Sequence, residues 1–285
     1  MNKTSTTLFL NPSSKHKQGQ RNWPCFRQAG FEEVLSKSAE EMVVQVSKSE
    51  CETAVAVGGD GTINLVINGI MRSATPKKLG VLYSGTSPDF CRFHGVSIRP
   101  QDALSQLMHG TPHAIDICQI TYSDGQVRYF ASSCNIGLGA EIARTSNQIR
   151  KYVGDMCGTL LAALKSLFWV KPFAATLIID GQIKTFPRLR HIAVLKNKFI
   201  ASGLYLDVPT KPDDGLLYVV VLPHLTLRGL LNIYKGKIPT GAHVFTGKDV
   251  RVQTQPTQYT EFDGDPQPAG DVHIACLHKR LELLK

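Results

Sequence analysis

The sequence predicts an α/β protein in two parts. A doubly wound α/β domain covers residues 1–113, and a mainly antiparallel, sandwich-like β domain with a few helices covers residues 114–285, its last strand free to return to the first domain. Three observations carry this. Thr53-Ala-Val-Ala-Val-Gly-Gly-Asp-Gly-Thr62 is an apolar run followed by three glycines within four residues, and Ile63, Val66, Ile67 and Ile70 then recur at helical spacing; strand, tight turn and helix follow directly. The same alternation of strand and helix extends from Thr7 to His109, as in parallel sheets covered by helices. After Pro112 the rhythm changes to short strands separated by turn residues.

In chain order, residues 7–10 form a short strand that ends at Asn11-Pro12-Ser13-Ser14. The stretch up to Gly30 is a poor helix, because Gly19 and Pro24 lie inside it. Residues 31–35 form the second strand. Ser38-Ala-Glu-Glu41 reads as a capping box ahead of Met42, Val43 and Val46. Thr62 is expected to cap the helix that follows the glycines. Residues 78–83 form another strand, which runs into a second loop-to-helix junction at Ser84-Gly-Thr-Ser-Pro-Asp-Phe-Cys-Arg92. Residues 100–109 form a helix with Pro100 at its start and Gly110 after its end. Residues 113–121 and 126–134 read as a hairpin about Asp124-Gly125, and residues 137–168 as mainly helical, broken near Gly154 and Gly158. Strands follow at 173–179, 182–186, 189–195, 216–222, 249–255 and 273–277, with one helix at 225–235.

Composition narrows the class. The chain has 285 residues, 42% hydrophobic and 19% charged, which suits a globular protein with a sizeable core. The uncharged apolar run at 216–222 is seven residues long and residues 160–170 are interrupted by Lys165, so no membrane span is expected. The start is too weakly apolar for a signal peptide. Seven widely spaced cysteines, with no CxxC, indicate neither a disulfide framework nor a zinc site. His109 and His113 are separated by Gly110 and Pro112 and cannot share a helical face. The net charge of +9 fits an anionic partner, either a nucleotide, an acidic membrane surface or a nucleic acid. The positive charges are scattered, with a loose group at Lys15, Lys17, Arg21 and Arg27. No nucleic-acid-binding module is present, so no nucleic-acid partner is expected.

The glycine turn carries the chemistry. Gly58, Gly59 and Gly61 lack Cβ atoms, so a phosphate can approach the backbone N–H groups at the helix start. Asp60 would repel a bare anion, and makes sense there if it holds a metal or organises donors around phosphates. The GGDGT stretch resembles the diacylglycerol kinase catalytic family of lipid kinases, which shares it with NAD kinases and phosphofructokinases. The resemblance extends from Asn11 to the C-terminus. Gly85-Thr86-Ser87-Pro88-Asp89-Phe90 keeps the Gly, Thr, Asp and Phe of a second family motif, but Pro88 stands in place of an Asn, losing amide donors and an acceptor. Ala114-Ile-Asp116-Ile, the glycine-rich 130–141 segment, Lys211-Pro-Asp-Asp-Gly-Leu216 and Glu261-Phe-Asp-Gly-Asp265 each resemble further family motifs.

The resemblance implies ATP and Mg²⁺ as cofactors. Asn11, Gly58, Gly59, Asp60, Gly61, Thr62, Gly85 and Thr86 would bind the nucleotide. Asp60, Asp89 and Asp116 would join a magnesium-and-water network. A Mg²⁺ would be held by Asp214 with the Lys211 and Leu216 carbonyls. Asp265 would be the base that takes the proton of a lipid hydroxyl, one methylene shorter than the family's glutamate, with Asp60 as its catalytic companion. The implied protein is cytoplasmic and peripheral to an anionic membrane, and it admits a homodimer. Two other readings stay open. An NAD kinase would show an Asn-Glu pair where this chain has Asn64-Leu65. A non-catalytic nucleotide- or lipid-binding protein is motivated by Pro88 and Asp265.

Overall fold

The computed structural model describes residues 5–11, 30–153, 165–166, 170–201, 204–262 and 265–285. The expected turn at Pro12–14, the basic group at 15–27, the helix breaks at Gly154 and Gly158, and Gly264 lie outside them. The chain divides into two compact units, Met1–Ile117 with His278–Lys285, and Cys118–Leu277.

In the first unit β1 (Thr6–Leu10), β2 (Glu32–Leu35), β3 (Thr53–Gly58) and β4 (Lys78–Tyr83) are parallel. They lie in the order β2-β1-β3-β4. Every residue of β1 and β3 is buried, which is why both read as unbroken apolar or small-residue runs. The chain leaves β1 towards β2 but leaves β3 towards β4, so the switch point of the sheet falls between β1 and β3. Helix α1 (Ala39–Lys48) starts at Ser38, whose side chain accepts the Glu41 N–H. Glu41 in turn accepts the Lys37 N–H at 2.7 Å. Helix α2 (Asp60–Met71) begins one residue after β3, with Gly59 at its N-cap. Thr62 is therefore not the cap. It lies inside the first turn, 3% exposed, folded against Gly58, where a Cβ would meet Thr62 Oγ1 at 2.3 Å. Helices α3 (Asp89–His94) and α4 (Pro100–His109) complete the unit.

Strand β5 (Pro112–Tyr122) leads into the second unit and pairs with β6 (Val127–Phe130) across the Asp124-Gly125 turn. The sequence extends that second strand to residue 134. In the structure the chain breaks at Ala131-Ser132, where Ser132 O accepts two N–H groups from Lys196 and Asn197. A separate strand, β7 (Ser133–Gly137), then starts and is followed by α5 (Leu138–Val153). The remaining strands are β8 (Phe173–Ile179), β9 (Gln182–Leu189), β10 (His191–Leu195), β11 (Phe199–Ala201), β12 (Leu204–Tyr205), β13 (Leu217–Leu222), β14 (His243–Gly247), β15 (Asp249–Phe262) and β16 (Asp265–Leu284). Helix α6 (Leu227–Tyr234) precedes β14.

The second unit is antiparallel throughout, with neighbours β14-β13-β10-β7-β15 and the β8–β9 hairpin against β15. Two cores divide the residues of β10 and β13. Ile192, Val194, Leu217, Val219 and Val221 enter one, and Ala193, Leu195, Tyr218, Val220 and Leu222 the other. Both faces are covered, so these strands are continuously apolar, whereas β8 alternates between buried and half-buried positions. Strand β16 is far longer than the five residues its pattern predicts, because Pro266, Pro268 and Gly270 hide the pairing of its first half with β15. Its final residues belong to the first unit, where Leu283 pairs with Leu79 in β4.

Candidate functional site

The carboxyl ends of three adjacent parallel strands supply the site in the first unit. The β1–β3 register pairs Leu10 with Val57, so Asn11 stands level with Gly58. The β3–β4 register pairs Gly58 with Tyr83, so the two glycine junctions sit side by side. Ser84 N–H donates to Gly58 O at 2.9 Å. A Cβ built on Gly85 would lie 2.5 Å from the Gly59 Cα, so the two backbones touch where no side chain fits. The first turn of α2 presents its N–H groups at this place.

One side chain ties the junctions together. Asp60 Oδ2 accepts the Asp89 N–H at 3.2 Å. Pro88, the residue before α3, offers no side-chain acceptor, and Asp60 fills that role from the other loop. Asp89 Oδ2 accepts Ser87 Oγ–H at 3.0 Å, and Arg92 lies 3.7 Å from its other oxygen. The local field is negative: burial, then Asp60, Cys91 and Asp89, push the Tyr83 hydroxyl far above its ordinary value. Burial, then Asp60, do the same to the Cys91 thiol. Ser84 Oγ is buried without a hydrogen-bond partner among the described residues. A polyphosphate held by the backbone donors here would lie against two carboxylates, so its binding calls for a cation; paired carboxylate oxygens are the hard donors Mg²⁺ takes.

Asp116, the third aspartate of the expected network, is fully buried in β5, and its Oδ1 accepts Lys279 N–H at 2.8 Å and His278 Nδ1–H at 2.9 Å. The carboxylate thus secures the tail of β16, at Lys279 with φ 49°. Among the described residues no three His, Cys, Asp or Glu side chains are placed to share one metal ion.

In the second unit, Asp214 lies in the turn before β13. Its Oδ1 accepts Lys196 Nζ at 2.5 Å and Leu216 N–H at 3.0 Å, and its Oδ2 accepts Lys211 N–H at 2.9 Å and Tyr218 Oη–H at 3.3 Å. Lys196 Nζ also donates to the Leu216 carbonyl at 3.2 Å. Burial raises the Asp214 carboxyl, but the Lys196 hydrogen bond, the Leu216 and Lys211 N–H groups and the Lys196 charge outweigh it and hold the group below its ordinary value. These residues do not fit a bound Mg²⁺, since the carboxylate and one of the two expected carbonyls are already engaged by a buried ammonium.

Asp265 begins β16 and pairs with Phe262 across the tip of the β15–β16 hairpin; its side chain lies outside the described ones. Two buried residues nearby in the sequence motifs escape a reading of the residues alone. Glu261 Oε2 accepts Asn135 Nδ2–H at 2.9 Å, with both residues buried on paired strands. His191 is buried against the 130–141 segment, where its Nδ1 lies within hydrogen-bond reach of both Ile136 O, at 3.1 Å, and Gly139 N–H, at 3.2 Å, and a Cβ on Gly139 would meet the ring at 2.6 Å. The only sequence signal for Glu261 is a charged residue in an otherwise strand-like run.

Comparison with known proteins agrees with this architecture. Residues 5–120 match the diacylglycerol kinase catalytic domain, and residues 132–285 match the YegS C-terminal NAD kinase beta sandwich-like domain. A protein of Xanthomonas oryzae pv. oryzae named "Probable lipid kinase YegS-like" is 26% identical over 270 residues, covering 86% of this chain and 82% of that one. The crystal structure of a diacylglycerol kinase from Bacillus anthracis str. Sterne superposes with a TM-score of 0.71 at 17% identity, covering 98% of this chain and 96% of that one. That of an NAD kinase from Archaeoglobus fulgidus in complex with ATP superposes with a TM-score of 0.51 at 13% identity, covering 98% and 93%. With both halves matched in order, the chain belongs to the diacylglycerol kinase catalytic-domain family of lipid kinases, with a C-terminal domain of the YegS type.

Proposed function

We propose that this protein binds ATP at the carboxyl ends of β1, β3 and β4 and transfers the γ-phosphate to a hydroxyl of diacylglycerol or a related lipid. The observation that carries this reading is the Asp60–Asp89 hydrogen bond beneath the contact of Gly59 with Gly85. Asn11, Gly58, Gly59, Gly61 and Thr62 line the phosphates on one side and Gly85 and Thr86 on the other. Their N–H groups orient the γ-phosphate for in-line attack, and such positioning supplies most of the catalysis in phosphoryl transfer. Asp60 and Asp89 would hold Mg²⁺, which when bound with the nucleotide neutralises the charge on the phosphates. Asp265 takes the proton of the lipid hydroxyl as the new O–P bond forms and the bond to the ADP oxygen breaks.

The acceptor places the protein at a bilayer, as a cytoplasmic enzyme peripheral to the inner face of the membrane. Among the described residues no helix is long and apolar enough to cross one. A candidate docking surface is α6 with its flanks. Leu231 is 56% and Tyr234 75% exposed, beside exposed Arg228, Lys235 and Lys237. Apolar tips surrounded by cations suit an anionic interface.

The test is incubation with labelled ATP and Mg²⁺ against vesicles containing diacylglycerol, a panel of other hydroxylated lipids, NAD, and no acceptor. Label in a lipid product supports the reading. Label in NADP instead would assign the other kinase chemistry, and ATP binding without any product would leave a binding protein.

A further inference from the structure

We propose that the Lys196 ammonium is the built-in cation of the 211–218 turn, standing where a divalent ion would otherwise bridge the Asp214 carboxylate and the Leu216 carbonyl. The turn then closes without a metal. The geometry leaves little choice. An ionised carboxylate has about four lone-pair sites, and Asp214 has four donors: Lys196 Nζ and Leu216 N–H on Oδ1, Lys211 N–H and Tyr218 Oη–H on Oδ2. Lys196 Nζ reaches both Asp214 Oδ1 at 2.5 Å and Leu216 O at 3.2 Å. These are two of the three oxygens that a cation in this turn would use.

The ammonium is enclosed by protein. The Lys196 side chain is 1% exposed, at the end of β10, whose residues are buried on both faces. Its own carbonyl is fastened by Thr210 Oγ1–H at 2.7 Å, so the backbone on both sides of the ion pair is held. A divalent ion drawn to Asp214 Oδ1 and Leu216 O would sit against a buried positive charge and would compete with the ammonium for both oxygens. Lys196 follows an apolar strand, 18 residues before its partner, so the pair is invisible in the local sequence. The inference is independent of the kinase reading, because it concerns the stability of one turn and is read without nucleotide or lipid.

The experiment measures thermal unfolding of the full chain, without nucleotide, in chelator, in millimolar Mg²⁺ and in millimolar Ca²⁺. The parent is expected to unfold at the same temperature in all three. Lys196→Ala vacates the ammonium position and takes from the half-buried Asp214 carboxylate the ammonium that Lys196 supplies, leaving it the Leu216 N–H, Lys211 N–H and Tyr218 Oη–H donors, so it should lose several degrees in chelator. Either ion should restore a large part of that loss, and adding Asp214→Asn should abolish the rescue. Should Lys196→Ala fail to fold in chelator, its recovery in Ca²⁺ is the same result. The neutral pair Lys196→Met with Asp214→Asn should fold and ignore both ions. An ion response of the parent that persists in Asp214→Asn comes from elsewhere and agrees with the proposal. A parent stabilised by Mg²⁺ or Ca²⁺ only while Asp214 is intact overturns it, as does a Lys196→Ala variant as stable as the parent in chelator.

Discussion

Asp60, in the first turn of α2, accepts the backbone N–H of Asp89, the first residue of α3, at 3.2 Å. A carboxylate that would repel a bare phosphate thus adds a side-chain link between the two glycine junctions to the backbone bond from Ser84 N–H to Gly58 O. Asp60→Asn keeps an oxygen acceptor but loses the charge, and Asp60→Ala loses both. Asp60→Ala is expected to cost about 1 kcal/mol of stability, the usual scale for a lost capping acceptor, with Asp60→Asn close to the parent. Both should reduce phosphoryl transfer at least about 10²-fold, the scale of a lost electrostatic contributor. Turnover by either variant near the parent's rate would remove Asp60 from the chemistry.

Two glycines separate folding from ligand contact. A Cβ on Gly85 would fall 2.5 Å from the Gly59 Cα, whereas one on Gly61 meets nothing within 4 Å. Gly85→Ala should therefore destabilise the first unit by about 1–3 kcal/mol. Gly61→Ala, inside α2, should be neutral or stabilising by up to about 1 kcal/mol. If phosphates approach the backbone at Gly61, that variant should nonetheless weaken ATP binding at least tenfold. Calorimetric ATP affinity equal to the parent's would move the phosphates away from this turn.

His191 predicts an acid-sensitive fold. Burial lowers its pKa from 6.5 to about 4, and the Ile136 hydrogen bond only partly opposes this. Between those values the unfolded chain binds a proton that the folded one excludes. Stability is therefore full above the ordinary value and declines as pH falls, by about 1.4 kcal/mol per unit and about 3 kcal/mol in total. Urea titrations of the parent and His191→Gln from pH 7 to pH 4 check the sign. The variant should show a shallower decline, and parallel profiles would exclude His191 as the source.

Asp265 is tested by a pair of substitutions. Asp265→Asn keeps the shape and removes the base, and should lower turnover by roughly 10²–10⁴-fold with ATP affinity little changed. Asp265→Glu restores the family residue and should hold or raise activity. An Asn variant as active as the parent would make Asp265 a turn residue only.

Membrane association should follow electrostatics and the apolar tips of α6. Vesicle sedimentation is expected to increase with anionic lipid and to fall with salt. Leu231→Asp and Tyr234→Asp, both at exposed positions, should weaken binding without lowering the unfolding temperature. Binding indifferent to lipid charge, to salt and to both substitutions would place the docking surface elsewhere.

The sequence by itself determined the order of strands and helices in the first unit, the two glycine junctions and the change to antiparallel pairing after Pro112. These depend on contacts among near neighbours: apolar runs, Pro100 at a helix start, glycine where the chain must turn. Tertiary structure decided which groups meet. Thr62 lost its capping role because β3 runs into α2 with one residue between them. Asp116 found His278, 162 positions away, Glu261 found Asn135, 126 away, and Asp214 found Lys196. A buried charge must be paired, but the identity of its partner is set by strand register and loop closure, which act across the whole chain and leave no local periodicity to read.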